Sequence, residues 1–213
     1  MKKKTLIILL ALVLVFGIAV GGTIAYLTTK SDDVKNTFVA SDIGKLELKE
    51  TDTDGDGSMT TQKNTYMVVP GVDITKDPKL TYTINQDATS DNDVPVYVFV
   101  KVTAKGWTVS GNSYKFPIGD VADGLSATVC DGWTELTGVT LGEGEHVYYK
   151  ELAANTAMAA TSLITGDKVT VSADITDAGL QATTFQNLDF MAYACQSQGL
   201  SAAEAWAQVK DMQ

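Results

Sequence analysis

The residues able to do chemistry are few, and their spacing decides what each can do. The fullest pattern is Asp52-Thr53-Asp54-Gly55-Asp56-Gly57. Carboxylates at the first, third and fifth places, with glycine at the sixth for a sharp turn, match the opening of a calcium loop. The twelfth place, where such a loop needs a bidentate glutamate, is Lys63. A polar loop between strands accounts for the same residues, because Asp and Gly both favour turns. Asp52, Asp54 and Asp56 are the calcium candidates, and no other cofactor is expected. His146 is the single histidine. A zinc-protease helix needs two histidines four apart with a glutamate between them, so that both ligands share a face. No G-x-S-x-G nucleophile elbow occurs. A cysteine nucleophile would have only His146 as its base. No Gly-rich loop joins a strand to a helix in the way phosphate binding requires. These residues assemble no catalytic set, and the expectation is a protein that is not an enzyme.

The two cysteines, Cys130 and Cys195, form an even pair that an exported chain can bridge. Cys195 also sits in the apolar run Phe190-Met191-Ala192-Tyr193-Ala194, where a free thiol packs as a small hydrophobe. Trp107, Trp133 and the tyrosines fit a sugar-binding platform or, more simply, core and cross-strand pairs.

Export is read from the first residues. Lys2, Lys3 and Lys4 precede the uncharged apolar run Leu6 to Val20, which ends in Gly21-Gly22. This order is that of a secretory signal, with cleavage between Ala25 and Tyr26. The alternative is an uncleaved anchor, although the run falls short of the ~20 residues of a spanning helix. Any membrane contact is expected only through that uncleaved signal. The chain of 213 residues, 45% hydrophobic and 20% charged, suffices for one globular domain. Its formal net charge of −10 argues against nucleic-acid binding, which needs Lys and Arg to neutralise phosphates.

The elements that must position these residues are strands. Leu46 and Leu48 alternate with polar neighbours, as do Leu80, Tyr82 and Ile84, and Val169, Val171, Ala173 and Ile175. Val94 to Val102 is apolar on both faces, which predicts a central strand. Tyr66–Val69, Ala127–Cys130, His146–Leu152 and Leu188–Cys195 are shorter strand candidates. Pro70-Gly71, Asp77-Pro78, Ser110-Gly111-Asn112, Asp131-Gly132 and Gly142-Glu143-Gly144 punctuate them as turns. The alanine-rich stretch Leu152 to Leu163 reads equally as a short helix or a loop. Ser201-Ala202-Ala203-Glu204 is a capping box that opens a terminal helix, 202–211. The pattern predicts an all-β, jelly-roll-like β-sandwich with a short C-terminal helix. The organisation is a signal peptide at 1–25, an N-terminal strand at 26–40 and the jelly-roll-like domain at 41–213.

Three patches resemble one known family. They are Gly21-Gly22-Thr23-Ile24-Ala25-Tyr26-Leu27-Thr28 with Asn36-Thr37-Phe38-Val39, then Val69 to Pro78 with the Val96–Val102 strand, and finally Phe190-Met191-Ala192-Tyr193-Ala194 with Ala205-Trp206. Together they are similar to the TasA/camelysin family of secreted biofilm-matrix proteins of Gram-positive-type bacteria. The resemblance implies a jelly-roll domain, processing by a dedicated signal peptidase, and a place in the extracellular matrix or on the cell surface. It also implies fibres built from copies of the chain, with a minor matrix subunit as a further partner. Camelysin relatives carry a metalloprotease label, whose zinc-ligand pattern this sequence lacks. Strand donation would make the fibre. Tyr26 and Leu27 would anchor the donor tip, Phe38 and Val39 would begin the sheet, and Lys30-Ser31-Asp32-Asp33 would be the hinge. The alternatives are an ordinary first strand within its own domain and a monomeric surface adhesin or ligand-binding module.

Overall fold

Valine at every second place from Val96 to Val102, with Tyr97 and Phe99 between, builds a strand buried on both sides. The computed structural model describes residues 44–52, 64–84 and 94–211. In it this strand, β4 (Val96–Thr103), lies inside an antiparallel sheet between β12 (Asp189–Gln196) and β9 (Glu145–Leu152). Both ladders are eight residues long and unbroken, from Val96↔Gln196 to Thr103↔Asp189 and from Val96↔Leu152 to Thr103↔Glu145. The short β8 (Thr134–Glu135) adds to β9.

Two further antiparallel sheets complete an all-β sandwich. One has the order β2 (Ile74–Thr75), β11 (Lys168–Val171), β7 (Val121–Thr128), β6 (Ser113–Ile118), β5 (Thr108–Ser110). The other has the order β1 (Lys45–Lys49), β3 (Lys79–Thr83), β10 (Met158–Ser162). Val98, Val100 and Val102 point into the main core with Leu80 and Tyr82 of β3, Tyr114 and Ile118 of β6, and Val171 of β11. Each fully buried valine contributes roughly 1.5–3 kcal/mol of transfer free energy.

The opposite face of the central sheet carries Phe99, Val147, Tyr193 and Cys195. It is covered by the C-terminal helix, which brings Ala205, Trp206 and Val209 onto it. A second short helix, α1 (Asp177–Ala182), precedes β12 and is capped by Thr176. The C-terminal helix, α2, runs Ala202–Val209, two residues shorter than the sequence suggests. Its capping box is complete: Glu204 N–H donates to Ser201 Oγ at 3.3 Å and Ser201 N–H donates to Glu204 Oε2 at 2.8 Å.

Several elements differ from the sequence pattern. The alanine-rich stretch is neither helix nor plain loop, because Met158–Ser162 pairs with β3 across a register shift. Tyr66–Val69 forms no strand and makes one isolated bridge, Val69↔Val72. Strand β7 begins six residues before the expected Ala127. Its ladder with β6 shifts register between Phe116 and Ile118, which breaks the period-two pattern. Gly124 is required there, since a Cβ would lie 2.6 Å from that of Ile118. Strand β11 stops at Val171, leaving Ala173 exposed. Asp77-Pro78 is a buried link and not a surface turn.

Candidate functional site

Among the described residues, those singled out for chemistry do not converge. Asp52 lies just beyond β1, while Asp54 and Asp56 fall outside the described residues. The chain flanking that loop is fastened. Asn64 Nδ2 donates to Thr51 O at 3.0 Å, and the Thr51 N–H and hydroxyl donate to Asp77 at 2.9 and 2.8 Å. Burial pushes the Asp77 carboxyl up, but these two bonds and the Lys79 ammonium outweigh it and hold it below the usual range. Among the described residues no group of three His, Cys, Asp or Glu side chains gathers as a metal site would. His146 is three-quarters buried, with Nδ1 3.2 Å from Glu135 Oε1 and its ring edge-on to Tyr114.

Both cysteines are free and buried, which corrects the disulfide expectation. Cys130 belongs to the main core and Cys195 to the cluster under α2, so the central sheet stands between them. Burial pushes the Cys130 thiol up to about 12 and raises that of Cys195 as well. Neither is a thiolate near neutral pH, so neither is an activated nucleophile. Trp133 is buried beneath the Lys150 ammonium, 4.9 Å from the ring centre, and Trp107 packs on Phe116. No sugar platform is formed by these two rings.

What stands out instead is a backbone edge. Among the described residues β12 is hydrogen-bonded on one side only, to β4. Its sequence, Asp189-Phe190-Met191-Ala192-Tyr193-Ala194-Cys195-Gln196, carries one charge. The other outer strands are five residues or shorter. Outer strand β1 is also guarded by charge: Lys45 and Lys49 flank Glu47 at 3.7 and 2.9 Å. Charge and shortness are two of the defences of a sheet edge; β12 is eight residues long and carries only Asp189.

Strand β1 runs close to β12 although the two belong to different sheets. The seam is tied by side chains around Lys76. Its ammonium lies 3.1 Å from Glu50 Oε1, 5.0 Å from the centre of the Tyr66 ring and 5.8 Å from that of Phe190. Tyr66 OH donates to the same Glu50 oxygen at 2.7 Å. Sequence reasoning placed the apolar run of β12 but missed its open edge. The signal available was the near absence of charge over eight residues. The assembly candidates Tyr26, Leu27, Phe38 and Val39, and the cleavage pair Ala25 and Tyr26, lie outside the described residues.

The fold and this edge define a class: an all-β sandwich with a helix on one face of its central sheet and, among the described residues, one long outer strand paired on a single side. No family model, curated protein or solved structure matches the chain.

Proposed function

We propose that this is a secreted structural protein of the extracellular matrix, whose copies join into fibres by strand addition. The observation that carries this reading is the eight-residue, nearly uncharged outer edge of β12. Unpaired N–H and C=O groups along such an edge accept an extended segment of another chain. The donor is Tyr26 to Val39 of a second copy, freed when signal peptidase cuts after Ala25. Tyr26 and Leu27 anchor its tip, Lys30-Ser31-Asp32-Asp33 is the hinge, and Phe38 and Val39 begin the sheet. A contact between two different surfaces of one chain does not close on itself, so it propagates as a filament. The role is binding and scaffolding, without a catalytic step, at the cell surface or in the matrix around it; a minor matrix subunit is a further partner. The three-patch resemblance to the TasA/camelysin family supports the same reading.

The test is to purify 26–213 with Tyr26 as its N-terminal residue and follow its size by light scattering and electron microscopy. Filaments of regular width are expected, and deletion of Tyr26–Lys35 should leave a folded monomer. Undiminished fibres from the deleted chain would overturn strand donation. A persistent monomer from the intact chain would favour a surface adhesin or ligand-binding module.

A further inference from the structure

Phe185 is one of the large apolar side chains that stand exposed among the described residues, at 42%. Its ring is stacked on that of Phe116, with centres 6.2 Å apart and planes inclined by 28°. Phe116 is buried and packs in turn on Trp107, 5.4 Å away. One face of the Phe185 ring therefore rests on the core, and the exposed area lies on the side away from it. The segment that carries the ring is anchored at both ends. Before it, Thr183 Oγ1 accepts from the Gly119 N–H at 3.1 Å and donates to Gly179 O at 2.8 Å. After it, Leu188 is buried in the main core. Between the anchors Phe185, Gln186 and Asn187 are all exposed. Gly106, at φ +78°, lets Gln186 pass close by, since a Cβ there would lie 3.3 Å from Gln186 Cγ.

These three residues border a cleft of about 230 Å³ at the end of the central sheet, where β4 finishes and β12 begins. Thr103 and Asp189, opposite each other in that ladder, line it together with Lys105. The volume is below the ~300–1,000 Å³ of a drug-sized pocket, so it suits one ring of a longer ligand. The side chains of Thr103, Gln186, Asn187 and Asp189 make no hydrogen bond or ion pair with any described residue. The Lys105 ammonium is matched with Glu143 at 3.0 Å.

An aromatic face beside unpaired amides, a hydroxyl and a carboxylate is the chemistry that recognises a sugar. A pyranose offers C–H groups on its faces, which stack on an aromatic ring, and hydroxyls around its rim. Each hydroxyl both donates and accepts, as amides do, and a carboxylate accepts from two neighbouring hydroxyls. An apolar ligand would cover the ring but leave the polar groups without partners. Asp189, with the one lysine of the cleft already matched, opposes an anionic ligand. We propose that the Phe185 cleft binds one pyranose unit of a neutral polysaccharide. This goes beyond the fibre reading and does not depend on it, because every residue of the cleft lies in one chain.

Calorimetric titration of the exported chain with cellohexaose, maltohexaose and chitohexaose tests this, with polygalacturonate as the charged comparison. At least one neutral hexasaccharide should bind. Phe185→Ala should weaken that binding about tenfold, the loss of one stacked ring. Gln186→Ala with Asn187→Ala, both on the exposed rim, should weaken it as well and leave the melting temperature unchanged, so the site stays testable if the phenylalanine variant fails to fold. Absence of binding by all three neutral probes would overturn the site. So would binding that the double amide variant keeps in full, or binding confined to polygalacturonate. Light scattering on the same samples separates this from strand donation. Filaments without saccharide binding would overturn the cleft alone, whereas saccharide binding by a chain that stays monomeric would uphold the cleft and overturn donation.

Discussion

At the scale of single residues, burial silences the groups that looked reactive. Cys130 illustrates this. In the unfolded chain its thiol ionises near 9, but in the core it is pushed up to about 12. Its folded value is raised, so the unfolded state releases its proton first as pH rises. Stability should therefore hold below pH 9 and fall progressively between 9 and 12. Tyr148, buried and likewise pushed up to about 12, adds to the same slope above pH 10. Urea unfolding from pH 7 to 11 checks this, and Cys130→Ala should flatten the early part of the fall. Thiol titration of the non-reduced protein should give slow reaction in the native state and two free thiols per chain after denaturation. Finding none would restore the disulfide. The spacing argument had left the pair open because a sequence does not say which face of a sheet lies between two cysteines.

At the scale of elements, α2 acts as a lid on the second face of the central sheet. Trp206 packs on both Phe99 and Tyr193, with ring centres 5.6 and 5.2 Å away. Trp206→Ala should cost about 3–5 kcal/mol, the range for emptying a buried aromatic site. Ser201→Ala, which removes the cap, should cost about 0.5–2 kcal/mol. Equilibrium denaturation distinguishes the two, and similar costs would mean that the lid is held mainly by its cap. Strand β12 calls for a different substitution. Met191 stands opposite Lys101 in register, so Met191→Glu places a charge beside the edge with a cation across the ladder. Stability should change by no more than about 0.5 kcal/mol, while filament growth should stop. Unchanged growth would move the acceptor away from β12.

At the scale of the whole molecule, charge opposes assembly. The whole chain has a net charge of −10, and a copy cleaved after Ala25 loses Lys2, Lys3 and Lys4 and carries −13, so copies repel one another, and salt screens that repulsion. If the strand edge drives the contact, filament growth should quicken as sodium chloride rises from low to physiological levels. Slower growth in salt, followed by light scattering, would mean that attractive charge pairs hold the subunits.

The sequence by itself determined the local geometry. Alternation placed β1, β3 and β11 and told which side of each is apolar, a run apolar on both faces made β4 the central strand, and β9 and β12 were legible only as shorter apolar runs. The Ser201–Glu204 pattern placed the start of α2. These features follow from a period of two or from contacts within a few residues, so they are written in adjacent positions. Tertiary structure alone decided the rest. Met158–Ser162 becomes a strand because β3 offers it an edge, against its alanine-rich composition. Glu50, Tyr66, Lys76 and Phe190 meet from four separate segments, and Cys130 and Cys195 end on opposite sides of one sheet. Above all, that β12 is paired on one side only among the described residues follows from which strands pair across long separations. A strand's own residues fix which face it buries, but hydrogen bonds to distant strands fix which edge it leaves open.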